Sequence, residues 1–323
     1  MSARVPDPQT DPAEADLWFL PGPFDDPPEP GERAIVTDWA RAEAGLAARL
    51  ATVAGRLGAL EDRLSRGPEG WRHRLALIEA AELSWFAGDR IAPDRLALWA
   101  ALRLSGVQDD AAALARIGWA LRRLSGGPGP EPALTEFLGR HEAPSDDPLT
   151  GRAESWLAMM QGARALHPIS RACMGFHLWS LAGLSRTGDR LEAAVTAARI
   201  AASGFAPLAM GGAGGLRASG PPAARLAKWL TGMEDAIRTA MRTLDSVEAW
   251  DSRAGTVMAP LSGRTPPALR RAFVEWPLLS APMAESLTGA SRAAVQRNLA
   301  WMQARGLIRE VTGQGRFRMW KAV

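Results

Sequence analysis

The sequence predicts a mainly α-helical protein: a multi-helix, bundle-like body followed by a small C-terminal unit with a two-stranded β-ribbon. Three observations predict it. Apolar residues recur at spacings of three and four through most of residues 34–250, the period of a helix with one buried face. Strict alternation of apolar and charged residues is confined to the last stretch of the chain, where it indicates strands. Glycine and proline cluster at residues 67–70, 126–130 and 210–216, which cuts the helical pattern into pieces of ordinary length.

Residues 1–33 are rich in Pro, Asp and Glu and read as a disordered tail, since they carry little apolar surface to bury. The island Leu17, Trp18, Phe19 and Leu20 is the exception and could anchor on the folded body. Residues 39–64 form one long amphipathic stretch, with Leu46, Leu50, Val53, Leu57, Leu60 and Leu64 on its stripe. Further helices are expected over 71–86, from Pro93 through Leu102, over 111–124 and over 133–138, with an exposed loop at 141–148. Residues 152–166, 168–184, 191–202 and 221–250 follow as helices, the last as one long helix or a kinked pair, which makes a body of eight to ten. Residues 251–265 read as a linker. The glycines of 210–216 would suit a phosphate cradle only between a strand and a helix; no strand precedes them, so the segment is a loop.

The C-terminus carries the functional signal. Ser280 can cap a short helix through Leu287, with Met283 and Leu287 facing inward at i, i+4. Thr288, Gly289 and Ala290 make a tight turn, and Ser291 caps a second helix that ends at Gly306. Its apolar stripe is Val295, Leu299 and Met302. Ser291 marks its start, and the outward face near that start carries Arg292, Gln296 and Arg297 among the small residues Ala293, Ala300 and Ala304. Residues 307–311 and 316–320 then form the ribbon, with Phe317 and Met319 on one face and Arg316 and Arg318 on the other. This pattern over residues 266–323 is that of a winged helix-turn-helix. Arg and Gln pair bidentately with guanine and adenine edges, and small residues let a helix approach a groove floor. Arg309, Arg316, Arg318 and Lys321 are the expected phosphate contacts.

Charge agrees with this assignment. From Arg264 onward there are ten Lys and Arg against three Asp and Glu, while the whole chain carries +3, so the charge is concentrated at one end. Duplex DNA is the expected partner, read by a homodimer because one recognition helix covers only a short half-site. The body would serve dimerisation, a protein partner or a small-molecule effector. A protein-interaction scaffold whose C-terminal unit never touches DNA is the competing reading.

Composition narrows the remaining classes. A single cysteine, Cys173, rules out an internal disulfide framework and suits a reducing cytosol. No apolar run is long enough to span a membrane, and the N-terminus lacks a signal pattern, so a cytoplasmic, nucleoid-associated protein is expected. Cys173 and His177 stand at i, i+4 with His167 before them, but His73 and His141 lie in unrelated contexts, so no metal site is expected. Glu79, Glu82, Glu234 and Asp235 have no partner histidine and read as solvated acids. No catalytic triad, metalloprotease or dinucleotide fingerprint is present, and neither enzymatic activity nor a cofactor is expected. Of thirteen tryptophans, Trp39, Trp71, Trp85, Trp99, Trp119, Trp156, Trp179, Trp229 and Trp250 recur along the body, and most should be core.

The runs GLAARLATVAGRLGALEDRLSRGPEGWRHRLALIEAAELSWFAGD, LHPISRACMGFHLW and GLIREVTGQGRFRMW resemble a family of uncharacterised, often plasmid-borne, alphaproteobacterial proteins. Its members pair a helical domain of unknown function with a C-terminal helix-turn-helix. The resemblance implies this architecture and a DNA-binding role. A second resemblance is to Fic-domain proteins, which join helical segments to a core with a His-Pro-Phe loop followed by an acidic, glycine-rich anion cradle. His167, Pro168 and Ile169 resemble its start, but Ser170, Arg171 and Ala172 run straight into a helix and the cradle is missing. That second resemblance implies a nucleotidyl-transfer scaffold that has lost catalysis, because phosphoryl-type transfer depends on positioning and charge stabilisation.

Overall fold

The computed structural model describes residues 30–102, 111–139, 149–185, 190–313 and 318–323. It is mainly helical, with a small antiparallel sheet near the C-terminus. The body consists of α1 (Pro30–Gly45), α2 (Ala47–Arg66), α3 (Glu69–Ala87), α4 (Pro93–Leu102), α5 (Ala111–Ser125), α6 (Leu134–Leu138), α7 (Leu149–Gly162), α8 (Pro168–Leu178), α9 (Leu191–Ala201) and α10 (Pro222–Met258). Residues 39–64 are therefore two helices rather than one. The backbone turns at Leu46 (φ −117°, ψ 12°), just after a glycine that favours the helix little. Helix α7 starts at Leu149 and stops at Gly162, short of Leu166, and α8 ends at Leu178 rather than at 184. Of the tail 1–33, residues 30–33 belong to α1; residues 1–29, with the island at Leu17–Leu20, lie outside the described residues, as does the loop 141–148.

A continuous core runs through the body. Trp39, Trp71, Trp156, Trp179 and Trp229 are buried in it, while Trp85 is 53% exposed and is covered only by the guanidinium of Arg90. Cys173 and His177 are buried on α8, and the His177 ring lies among Trp39, Phe176 and Trp229. Glu79 is not a solvated acid. It is fully buried on α3, where its carboxylate accepts the backbone N–H groups of Leu208 (2.8 Å), Ala209 (2.9 Å) and Met210 (3.0 Å). Three consecutive amide donors turned inward by the chain satisfy the lone pairs of a carboxylate. The glycine-rich segment that follows packs against α10: a Cβ on Gly232 would lie 2.7 Å from the amide nitrogen and 2.8 Å from the Cα of Gly215. Gly215 serves this close backbone approach, whereas Gly211 (φ +90°) and Gly212 (φ +99°) take left-handed backbone.

Residues 251–258, expected in a linker, are the last two turns of α10. This helix has 37 residues, about 55 Å at 1.5 Å per residue. It starts on Pro221 and Pro222 and ends at Met258, two residues before Pro260, which has no N–H to continue the helical ladder. Leu226, Trp229, Met233, Ile237 and Leu244 lie in the body core, whereas Trp250, Ala254 and Met258 lie in a second core.

That second core belongs to α11 (Thr265–Glu275), α12 (Ala281–Thr288) and α13 (Arg292–Ala304), with strands β1 (Leu279–Ser280), β2 (Ile308–Glu310) and β3 (Met319–Ala322). The sheet has three strands in the order β1-β3-β2, not two: Leu279 and Ser280 pair with Trp320 and Met319. Ile308, Arg309 and Glu310 pair with Ala322, Lys321 and Trp320 on the other side. The final strand thus lies later than the 316–320 expected. On α12, Ala284 is fully buried and Met283 partly so, but Leu287 is 47% exposed. Leu287 is three positions after Ala284, about 60° away around the helix, and swings past the edge of this small core.

The two cores are joined by more than α10. Leu278 and Met319 of the C-terminal unit are buried in the body core. The indole N–H of Trp71 donates to the Val274 carbonyl (3.1 Å), and Arg74 donates to Phe273 O (3.0 Å) and Val274 O (3.2 Å). Burial pulls the Arg74 guanidinium down to about 10. His73 packs against Trp276 with ring centroids 5.7 Å apart and the planes tilted by 55°. The C-terminal unit is seated on the first turns of α3.

Candidate nucleic-acid interface

Helix α13 is held at both ends by the residues its sequence supplies. Ser291 caps it, with Oγ accepting from Ala294 N (3.4 Å), and Ser280 does the same for α12 through Met283 N (3.2 Å). Gly289 (φ +62°) and Gly306 (φ +65°) take the left-handed backbone needed to turn into and out of α13. Val295, Leu299 and Met302 are buried, so the opposite face is fixed outward. Arg292, Ala293, Gln296, Arg297, Ala300 and Ala304 are exposed on that side or its flanks, and Ser291 is exposed at the helix start. Among the described residues, neither Arg292 nor Arg297 makes an ion pair.

Between α13 and the ribbon lies an open cleft of about 710 Å³. Gln296, Ala300, Gln303 and Ala304 line one wall, Arg318 and Trp320 the other. The Trp320 indole donates to Gln303 Oε1 (3.0 Å), which fixes the two walls relative to each other. The guanidinium of Arg318 lies 5.1 Å from the Trp320 ring and 3.7 Å from the Glu310 carboxylate. Glu310 itself is turned toward the ribbon tip, accepting from Thr312 N (2.9 Å), Gly313 N (2.9 Å) and the Thr312 hydroxyl. Those bonds hold its carboxyl below the usual range.

The expected site residues divide over two faces. Ser291, Arg292, Gln296, Arg297 and Arg318 belong to the α13 face and its cleft. Side chains alternate along a strand, so Lys321 shares the Met319 face of β3, and Arg309, directly opposite Lys321, shares it too. That face turns toward the body. Met319 enters the body core, and Lys321 forms an ion pair with Asp94 on α4, a docking contact rather than a free cation. Arg309 is exposed but lies away from α13. Arg316 and Phe317 lie outside the described residues.

Three residues escaped the sequence reading. Gln303 continues the exposed row of Gln296 and Ala300 at helical spacing, a signal the sequence does contain. The role of Trp320 depends on its pairing across the sheet, which the sequence does not show. Arg305 covers the half-buried Trp301 at 3.7 Å, just past the end of α13.

The histidines have other tasks. His167 caps α8, its Nδ1 accepting from Ile169 N (3.2 Å) while its backbone N–H donates to Glu43 (3.0 Å). Burial, with the charges of Arg225 and Arg190, lowers His177 to about 4, and burial raises the Cys173 thiol. Among the described residues no three of His, Cys, Asp and Glu converge as a metal site, and no helix is long and apolar enough to cross a membrane.

No protein-family model matches this chain, and no curated protein matches it in sequence.

Proposed function

We propose that the protein is a sequence-specific DNA-binding regulator, with α12 and α13 as a helix-turn-helix and the three-stranded sheet as its wing. One observation carries this reading: the exposed face of α13 presents Arg292, Gln296 and Arg297, with no ion pairs to them among the described residues, among alanines and beside a cleft that Arg318 lines. Arg and Gln on a helix of groove-compatible width read base edges, and small neighbours permit the approach. Arg318 stands where a phosphate would pass, and fixes position rather than sequence. Lys321 and Arg309 have no part in this reading, because their face is turned to the body. Homodimerisation would supply a second half-site.

The test is duplex DNA binding by the full chain across a salt series, followed by selection of bound sequences. Affinity should fall linearly on a logarithmic plot against salt. The pair Arg292→Ala and Arg297→Ala should each weaken selected-site binding about tenfold or more, and Arg318→Ala should weaken all sequences alike. An absence of binding at low salt sinks the regulator reading.

A further inference from the structure

We infer that the partly enclosed cavity between α2, α3, α5 and α9 binds a small zwitterion of the α-amino-acid class, and that its occupancy is sensed by the C-terminal unit. The first half stands on the cavity alone; the second rests on the DNA-binding reading above.

The cavity has a volume of about 160 Å³, room for about five waters or for a molecule of similar to slightly larger size. Leu64, Leu124 and Phe205 give it an apolar wall. Two opposite charges also line it without meeting. Glu61 accepts from the Ser203 hydroxyl (3.0 Å) and makes no ion pair among the described residues. Arg72 has neither an ion pair nor a hydrogen bond among them, although it stands in the same cavity. Gly204 makes room for it, since a Cβ there would lie 3.1 Å from Arg72 Nη1. A second cation, Arg199, is tied down: it donates to Arg123 O, to Gly126 O (2.9 Å) and to Gly127 O (2.7 Å). Its Nε is buried without a partner.

A free anion would be drawn to the arginines but repelled by Glu61, and a free amine the reverse. A molecule with a carboxylate and an ammonium a few bonds apart satisfies both. The carboxylate then takes Arg72 in a charge-assisted hydrogen bond and the ammonium takes Glu61. The volume restricts the class to small members such as glycine, alanine and serine.

The route to the C-terminal unit is short. Arg72 lies on α3 between Trp71 and His73, and both of these, with Arg74, hold the end of α11. Ser125, which lines the cavity, stands 3.4 Å from His73 Nδ1, and His73 packs against Trp276. An occupant that draws on Arg72 or Ser125 acts on the turn that seats α11.

The experiment uses the full chain. Calorimetric titration and thermal melts are run with glycine, L-alanine and L-serine, with L-tryptophan as the oversized control, and with acetate, methylammonium and inorganic phosphate as single-charge controls. At least one small amino acid should give saturable heat and a melting midpoint that rises with its concentration, as a native-state ligand must. The controls should give neither. Arg72→Gln and Glu61→Gln should each lose about tenfold or more in affinity, with folding checked by circular dichroism; Gly204→Ala, which crowds Arg72 without removing a charge, should also weaken binding. No response to any small amino acid overturns the site. So does equal binding of acetate or phosphate, or undiminished binding by the variants. DNA affinity measured with and without the bound amino acid should differ. An unchanged affinity overturns the sensing half and leaves the site standing, whereas no DNA binding under any condition defeats the regulator reading and the sensing half with it.

Discussion

Glu79 is the only fully buried carboxylate among the described residues, and two influences compete over its proton. Burial is the larger and pushes its acidity up to about 7, while the amides of Leu208, Ala209 and Met210 pull it down. In the unfolded chain the group titrates near 4.5, so between 4.5 and 7 the folded state holds a proton that the unfolded state has lost. Its contribution is complete below about pH 4.5 and is lost as pH rises through about 7, an interval worth about 3 kcal/mol. His177 has the opposite sign. Lowered from 6.5 to about 4, it contributes above 6.5 and that contribution is lost as pH falls toward 4. Above 6.5 only Glu79 of the two titrates. Denaturant unfolding at a series of pH values should therefore show the native protein losing stability from about pH 6.5 to 8 more steeply than Glu79→Gln. The amide of that variant would confront the Met210 N–H and cost about 1–3 kcal/mol at the acid end, so the two curves converge as pH rises. Parallel curves would disprove the assignment.

At the scale of elements, α3 and the end of α11 approach closely. A Cβ on Gly70 would lie 2.6 Å from Glu275 Cγ and 2.8 Å from its carbonyl carbon. Gly70→Ala should improve the local helix yet wedge α11 away, a net loss of about 1–3 kcal/mol at this contact. Hydrogen exchange should rise at the amides of 273–276 and stay unchanged in α8 and α9; a uniform rise would mean the contact is not local. Element identity was largely legible in the sequence, because apolar spacing and the Ser280 and Ser291 caps are local signals. Several boundaries were not, and two show why. The break at Leu46 is hidden because Leu46 and Leu50 continue the stripe across it. The true end of α10 is hidden because Asp251, Ser252 and Arg253 look like linker, although Trp250, Ala254 and Met258 keep helical spacing. The exposed row on α13 could be read from its period alone. That Lys321 meets Asp94, and that Glu79 meets three amides more than a hundred residues away, are facts of tertiary packing which no local pattern encodes.

At the scale of the molecule, the two cores share one helix and exchange residues, with Leu278 and Met319 buried on the body side. Residues 265–323 alone would lack Trp250, Ala254 and Met258, and residues 1–264 alone would expose them. The full chain should unfold in one transition by circular dichroism and tryptophan fluorescence, and the isolated 265–323 fragment should show no cooperative melt. Two separated transitions in the full chain would refute this coupling.

The 37-residue α10 also bears on how such a protein could be rebuilt. Chimeras are ordinarily cut in loops, and the loop at 259–264 invites a cut. A graft made there would carry the C-terminal unit away without the three side chains that fill its centre, and would leave the donor stump with a greasy end. The seam that respects the packing runs through the shaft itself, between Val247 and Trp250, where the helix has left one core and not yet entered the next.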